Sequence, residues 1–194
     1  MSLKEQVYSI LLVSNAEKFN LSLLSALPEY RYCPIKVVSG VTAARRELLE
    51  RSYDIVIINT PLPDDYGTRL AIDLSSEIGL GVLLFVRADQ FSEVYDQVTD
   101  YGVLTVQKPA NGQIVLQSLL LLCATRERLK KMERKTASLE EKMEEIRLVN
   151  RAKWALIDSR GMTESEAHRF IEKSAMDNCV TRREVAQRII DELS

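Results

Sequence analysis

The stretch DIVIINTPLPDDYG, residues 54–67, passes from an apolar segment into an acidic loop, and its chemistry depends on one residue. The apolar segment ends at Asn59, whose side-chain amide is not the carboxylate nucleophile that an acyl phosphate needs. Asp64 and Asp65 follow in the loop, where short acidic side chains commonly cap helices and stabilise turns. We therefore interpret both aspartates as solvated loop and helix-capping residues, and not as substitutes for the missing nucleophile.

Other reactive side chains are sparse. The single histidine, His168, argues against histidine-based acid–base or metal chemistry. The cysteines Cys33, Cys123 and Cys179 are odd in number and scattered, which suits a reducing compartment and provides neither a disulfide framework nor metal-ligand spacing. Because no nucleophile–base pair and no metal cluster is visible, we predict that the protein is not an enzyme and uses no cofactor.

The composition is that of an ordinary globular protein, with 46% hydrophobic and 28% charged residues in a chain of 194. This length allows one good core and a smaller second unit. No apolar run reaches the roughly 18–20 residues of a membrane span and no secretory segment is visible, so we predict a cytoplasmic protein. Residues 1–125 carry 10 basic against 14 acidic side chains, whereas residues 126–194 carry 16 against 14. This mild basic bias is weak evidence for a polyanionic partner.

Short apolar runs alternate with amphipathic stretches through the first two thirds of the chain. The runs are rich in Val, Ile and Leu, as expected for parallel strands that are covered on both faces. They lie at residues 8–13, 35–38, 54–59, 82–86 and 103–106, and helical stretches lie near 16–27, 41–52, 67–78, 91–100 and from about Gly112. This order predicts a doubly wound α/β unit with a five-stranded parallel sheet, whose ligands would lie at the carboxyl ends of the strands.

A long charged helix follows, and its apolar residues recur with the heptad spacing of a coiled coil. Its seam positions are Leu122, Leu129, Thr136, Met143 and Asn150 at a, with Thr125, Met132, Leu139 and Ile146 at d. In a parallel dimer, two of the three flanking charge pairs would attract and one would repel. We predict a homodimer through Leu122, Leu129, Met132, Leu139, Met143, Ile146 and Asn150, with a single solvated connector helix as the alternative.

Three helical signatures occupy the end of the chain. The first continues the long helix and stops at Gly161, a residue type that commonly follows a helix C-terminus. The other two open with TESE at 163–166 and TRRE at 181–184, and both fit the capping box. The sequence thus predicts three parts, which are an α/β domain over 1–122, a coiled-coil linker over 123–146 and an all-α three-helix domain over 147–194.

Residues from about 5 to 125 resemble the receiver domain of response regulators. The resemblance rests on the five β-α units, the acidic loop, Asn59 followed by PLP and Gly67, and the pair Lys108-Pro109 after the fifth strand. It implies the flavodoxin-like strand order and a phosphoryl-accepting aspartate at the end of the third strand. It also implies acidic metal ligands after the first strand and a hydroxyl at the end of the fourth.

The reactive positions depart from that pattern. The acceptor position is Asn59, Ser14 and Asn15 stand where the acidic ligands would, and Arg87 takes the place of the hydroxyl. Only Lys108 matches. Because neutral oxygens suit a hard Mg²⁺ ion poorly, we predict a degenerate pocket of these five residues, with no metal and no phosphorylation of Asn59. We expect Arg87 to pair with a loop carboxylate, with contact to a bound anion as the alternative.

Residues 146–190 resemble the ANTAR domain, the RNA-binding module of transcription antitermination regulators. The matching residues are Ala152-Lys153, Leu156, Gly161, Thr163, Glu166-Ala167, Ala175-Met176, Val185-Ala186 and Ile189. The resemblance implies binding to a leader mRNA with two short hairpins, whose stabilisation prevents a terminator from forming. Two hairpins suit two copies of the module, in agreement with the predicted dimer. Trp154 departs from the family, which usually has a small residue there.

The cations of this segment are its candidate RNA ligands. We predict that Ala167, Phe170, Ile171, Ser174 and Ala175 are buried on the second helix, which leaves Arg169, Lys173 and Met176 on its exposed face. A methionine between two cations could pack on an unstacked base, or equally on another helix or a partner chain. We predict RNA contacts from Lys153, Arg169, Lys173, Met176, Arg182 and Arg183, and packing beside the seam for Trp154.

We interpret the protein as a homodimeric RNA-binding antiterminator. Its receiver-like domain would be controlled without phosphorylation, through a regulatory protein or a ligand. Two alternatives stay open. A DNA-binding response regulator would need a third helix with exposed base-reading side chains, and a protein-interaction adaptor would bind only protein through its coil and tail.

Overall fold

The computed structural model describes residues 6–77 and 79–193. The chain divides into two compact units between Lys131 and Met132. The finer division into three parts stays a prediction.

The first unit is built on a five-stranded parallel sheet in the order β2-β1-β3-β4-β5. Its strands are β1 (Tyr8–Val13), β2 (Tyr32–Val38), β3 (Ile55–Asn59), β4 (Gly81–Arg87) and β5 (Leu104–Lys108). The central strand β3 is buried along its whole length, as its continuous apolar sequence requires for a strand covered on both faces. The predicted doubly wound fold and its flavodoxin-like strand order are confirmed.

Helices cover both faces of this sheet. They are α1 (Glu17–Ala26), α2 (Val41–Glu50), α3 (Thr68–Ser75), α4 (Phe91–Val98) and the first part of α5 (Gly112–Arg160), with 3₁₀ turns at Ala88–Gln90 and Thr99–Tyr101. Alternate strand residues enter opposite cores, because successive side chains of a strand point to opposite faces. Leu11 of β1 packs in the core with α2, α3 and α4, whereas Leu12 packs in the core with α1 and α5.

The second unit packs the end of α5 against α6 (Glu164–Asp177) and α7 (Arg182–Leu193). Both predicted capping boxes are confirmed. The Thr163 hydroxyl accepts from the Glu166 amide at 3.3 Å, and the Thr163 amide donates to the Glu166 carboxylate at 2.8 Å. The corresponding bonds between Thr181 and Glu184 are 3.2 and 3.0 Å. Two helix starts are therefore encoded locally, and α5 ends at Arg160, directly before Gly161, which has a φ of +63°.

Arg126 on α5 is a buried cation, with 5% of its surface exposed. Its guanidinium pairs with the Asp54 carboxylate and donates to the backbone oxygen of Gly79. A further bond reaches Glu127 at 2.8 Å, and the guanidinium carbon lies 5.8 Å from the centre of the Tyr8 ring. A buried charge is tolerated only when it is paired and hydrogen-bonded, and this side chain is both.

The partner of this cation, Asp54, is also fully engaged. Its second carboxylate oxygen accepts from both the amide and the hydroxyl of Ser9 at 2.9 Å. Asp54 precedes β3, Ser9 lies in β1, and Arg126 lies on α5. The pair therefore fixes the long helix to the amino-terminal edge of the sheet.

Replacement of Arg126 by methionine is expected to lower the free energy of unfolding by about 2–3 kcal/mol, because Asp54 loses its counter-charge in a largely buried setting. Urea unfolding of the full chain, followed by circular dichroism, measures the change in the transition of the first unit. The exposed Lys131→Met on the same helix is the control, with an expected change under about 0.5 kcal/mol. Equal losses in the two variants would contradict the assignment.

Candidate functional site

The pocket at the carboxyl ends of β1, β3 and β5 contains Ser14, Asn59 and Lys108. The Asn59 amide nitrogen donates to the Ser14 hydroxyl at 3.0 Å, and the Lys108 ammonium donates to the Asn59 amide oxygen at 2.9 Å. Lys108 also donates to the backbone oxygen of Thr60. Since an ammonium can only donate, it determines which end of the amide faces it. Both ends of the Asn59 side chain are thus occupied inside the protein.

This pocket has lost the electrostatics of a phosphoryl-transfer site. Asn59 is 5% exposed and neutral, so the cation opposite it is held by an amide oxygen and a carbonyl oxygen. Burial, followed by the nearby charge of Arg87, lowers the pKa of Lys108 from its ordinary value. An anionic nucleophile would stabilise the ammonium, and here none is present.

The residues of the pocket do not fit a divalent metal ion. Ser14 is 2% exposed, and its hydroxyl oxygen already accepts from Asn59 and, at 3.2 Å, from the amide of Ala16. Asn15 is exposed and offers only a neutral amide. Mg²⁺ is held in proteins through carboxylates, and no group of three or more His, Cys, Asp or Glu within residues 6–77 and 79–193 could hold a metal ion.

Arg87 turns to a carboxylate of its own loop. Its Nε donates to one oxygen of Asp89 at 3.1 Å and its Nη2 to the other at 2.5 Å. This fork is typical of arginine–carboxylate pairs, and the two side chains remain more than half exposed. The expected pairing of Arg87 with a loop carboxylate is confirmed.

The two loop aspartates are capping and turn residues, as predicted. The Asp64 carboxylate accepts from the amides of Val41 and Thr42, both at 2.9 Å, and so caps α2 from a distant part of the chain. These bonds, that from Thr42 foremost, lower the pKa of the Asp64 carboxyl group. Asp65 accepts from the amide of Gly67 at 2.7 Å. Both aspartates thus have the capping and turn roles that were predicted for them.

We expect that Asn59→Asp alone does not restore phosphorylation, because Ser14 and Asn15 still leave a metal ion without acidic ligands. Intact-mass spectrometry after incubation with acetyl phosphate and Mg²⁺ measures the addition. Wild type and Asn59→Asp should both stay unmodified. The triple variant Ser14→Asp/Asn15→Asp/Asn59→Asp restores those ligands and is the one protein in which we expect a phosphoryl group. Modification of the wild type would contradict the interpretation of the pocket.

The predicted dimer seam lies exposed along α5, with one exception. The exposed members are Leu129 (51%), Met132 (55%), Leu139 (52%), Met143 (55%), Ile146 (59%) and the polar Asn150. The exception is Leu122, which is 7% exposed and packs beside Gly81 and Cys123 in the core of the first unit. The assignment of Leu122 to the seam is therefore wrong, because the same heptad spacing there serves the core of the α/β unit.

One face of α6 carries two cations and an apolar side chain. Arg169 and Lys173 are exposed, and Met176 is 78% exposed, which excludes its packing on another helix among the described residues. Phe170 was predicted to be buried and is 36% exposed instead, with the Arg160 guanidinium 5.6 Å from its ring centre. That prediction was wrong, because a flanking cation covers the ring in place of the core.

The start of α7 is tied to α5 by two ion pairs that sequence reasoning missed. Arg182 contacts Glu145 at 3.1 Å, and Arg183 contacts Glu144 at 3.0 Å. The partners are nearly forty residues apart in the chain, so a local sequence pattern cannot reveal these pairs. Both pairs are about half exposed, so each contributes little to stability and can exchange with another anion.

Lys153 and Trp154 are neighbours on α5 with opposite environments. The Lys153 side chain is 16% exposed and its ammonium lies 3.1 Å from the Glu164 carboxylate. Trp154 is 70% exposed. An indole ring exposed to this extent leaves a large apolar surface in contact with solvent.

The two units together define a class of protein. A five-stranded parallel sheet in the order β2-β1-β3-β4-β5 has the receiver fold, and a three-helix unit follows it. No helix among the described residues is long and apolar enough to span a membrane. An α/β domain with the receiver fold thus precedes a helical domain in the chain.

The sequence identifies the helical domain. Residues 137–190 match the ANTAR domain family. The chain is 28% identical over 144 residues to a "Transcriptional regulatory protein PdtaR" of Mycobacterium tuberculosis, a match that covers 72% of this chain and 68% of that protein. The chain thus combines an ANTAR domain match over residues 137–190 with a first unit that has the receiver fold.

Solved structures agree with the fold of the first unit. The signal receiver domain of an HD domain-containing protein from Pseudomonas fluorescens has a TM-score of 0.58 at 20% identity, covering 68% of this chain and 96% of its own. A chemotaxis response regulator of Vibrio cholerae has a TM-score of 0.52 at 14% identity, over 60% of this chain and 99% of its own. A structure named as an adenylate cyclase from Rhodopirellula baltica has a TM-score of 0.60 at 13% identity, over 68% and 98%. At these identities each likeness concerns the fold alone.

Proposed function

We propose that this protein is an RNA-binding transcription antiterminator. It would bind a leader mRNA with two paired hairpins and keep the competing terminator from forming. The observation that carries the proposal is the exposed face of α6, which presents Arg169, Lys173 and Met176 together. The ANTAR match and the relative named as a transcriptional regulatory protein support it. Such a reader of nascent RNA would act in the cytoplasm.

The α6 face suits an RNA loop for a physical reason. Residues three and four apart share a helix face, so the cations at 169 and 173 and the thioether at 176 are neighbours. Single-stranded loops present phosphates and splayed bases, which bind to cations and to apolar, polarizable side chains. Lys153, Arg182 and Arg183 would add contacts, with the RNA phosphates replacing the carboxylates of Glu164, Glu145 and Glu144.

A homodimer would supply the two RNA-binding copies that two hairpins require. The seam from Leu129 to Ile146 consists of side chains that are more than half exposed and recur with heptad spacing. Unpaired apolar stripes of this kind are covered in coiled coils by a second helix. Asn150 would fix the register at the end of the seam.

Control of the receiver-like domain would not use phosphorylation. Ser14 and Lys108 form hydrogen bonds with the two ends of the Asn59 side chain, and the neighbouring residues do not suit a metal ion. We therefore assign the signal to a regulatory protein or a ligand that binds this domain. The dimer would be permanent, because no phosphoryl group is needed to form it.

Arg169→Ala/Lys173→Ala is expected to weaken binding of a two-hairpin RNA with six-nucleotide loops on the order of ten-fold. The slope of log K against log salt should become shallower by about 1.4 to 1.8, because two phosphate contacts are lost. Fluorescence anisotropy at several salt concentrations measures both. Arg46→Ala/Arg69→Ala, which removes two exposed cations of the first unit, is the control and should change neither quantity.

Two outcomes of the same titrations would overturn the RNA assignment. Tighter binding of duplex DNA than of the hairpin RNA at matched salt would favour the DNA-binding alternative. Binding of neither nucleic acid, together with no read-through in a terminator reporter, would favour the protein adaptor.

Leu139→Asp/Met143→Asp is expected to raise the dimer dissociation constant on the order of a hundred-fold, because it places charges in an apolar seam. Sedimentation velocity at micromolar concentration separates the species. Ala137→Asp/Ser138→Asp adds the same charges at heptad positions outside the seam and should leave the dimer intact. A monomeric wild type would refute the proposed dimer.

A further inference from the structure

The second unit has a cavity of about 430 Å³ beside the predicted seam. Its apolar wall is formed by Ile146 and Val149, and Asn150 lies next to them. The rest of the lining is charged or polar and consists of Lys142, Glu145, Lys153, His168 and Arg182. The cavity is large enough for an aromatic side chain, and Ile146 and Val149 offer that side chain an apolar contact.

The same unit carries one aromatic side chain without cover. Trp154 is the single tryptophan of the chain and is 70% exposed. Trp154 lies four residues after Asn150 on α5 but is not among the residues that line the cavity. The cavity and the exposed ring are thus two separate features of the same unit.

The heptad register relates these two features to each other. With Asn150 at position a, Val149 is at g and Trp154 is at e. In a parallel coiled coil each g residue meets the following e residue of the other helix, five positions further on. Val149 of one copy would thus face Trp154 of a second copy, and two-fold symmetry would repeat the contact.

We propose that Trp154 of a second copy occupies the cavity beside Ile146 and Val149, reciprocally in both protomers. This inference rests on the proposed parallel dimer and names a contact that locks its carboxyl-terminal end. Cations are among the residues that line the cavity, and the face of an indole ring attracts a cation. The contact buries the ring directly beyond Asn150, where the apolar seam ends.

The contact also explains why α5 tolerates a break in its seam. The next d position is Lys153, whose ammonium pairs with Glu164 of its own chain and does not supply an apolar layer. A tryptophan at the adjacent e position replaces that layer with a contact to the side of the seam. The two ANTAR domains are then held at a fixed separation, which sets the spacing of two RNA hairpins.

Trp154→Ala is expected to raise the dimer dissociation constant about ten-fold or more, because a large buried aromatic side chain is lost from an interface. Trp154→Phe should recover much of the affinity. Tyr30→Ala is the control, since it removes an aromatic side chain that is 78% exposed on the first unit. Sedimentation equilibrium of the full chain gives the dimer dissociation constants of the wild type and of the three variants. Circular dichroism checks that each variant is folded.

Fluorescence gives a second readout, because the protein has one tryptophan. Dilution of the wild type through its dissociation constant should shift the Trp154 emission to longer wavelength as the ring becomes exposed. A photoreactive benzoylphenylalanine at position 154 should crosslink to the segment around Val149 of the second copy, as located by mass spectrometry.

The outcomes separate this contact from the dimer itself. A monomeric wild type would remove the proposed dimer and this contact together. A stable dimer whose dissociation constant is the same in Trp154→Ala, or a crosslink to another segment, would overturn the contact and leave the dimer. An emission shift that follows addition of hairpin RNA and not dilution would assign Trp154 to RNA and overturn the inference.

Discussion

The buried guanidinium of Arg126 connects segments that are far apart in the chain. It pairs with Asp54 at the start of β3 and donates to Gly79 before β4, while Asp54 holds Ser9 of β1. A charge in this position is stable only with all of these partners, since an unpaired buried ion costs several kcal/mol. The beginning of the linker helix is thus fixed to the sheet by electrostatics as well as by apolar packing.

Strand β3 connects this ion pair to the altered acceptor position. Asp54 precedes β3 and Asn59 ends it, so one short strand is held by a charged network at its amino end and by an amide network at its carboxyl end. The Asn59 amide is neutral, and both of its ends already have hydrogen-bond partners. This domain has the fold of a receiver with an amide at the position of the acceptor carboxylate.

The helical unit separates structural from binding roles by face. Its core is small and aliphatic, and its cations lie outside that core, where Arg182 and Arg183 are held by glutamates of α5. Exposed pairs of this type are weak and exchangeable, so the arginines are positioned without being withdrawn from an incoming phosphate. The exposed α6 face proposed for RNA and the exposed α5 stripe proposed for the dimer are separate surfaces.

Local patterns in the sequence determined the strands, the helix starts and the absence of an acceptor carboxylate, because apolar periodicity, capping boxes and the residue type at position 59 each act within a few residues. The tertiary structure decided what depends on distant partners. Arg126 pairs with Asp54, which is 72 residues away and leaves no local signal, and Leu122 fitted the predicted seam although it is buried in the core of the first unit. Asp64 capped a helix more than twenty residues away, and Phe170 stayed outside the core. Periodicity specifies which side of a helix is apolar, but only the packed chain specifies what covers that side.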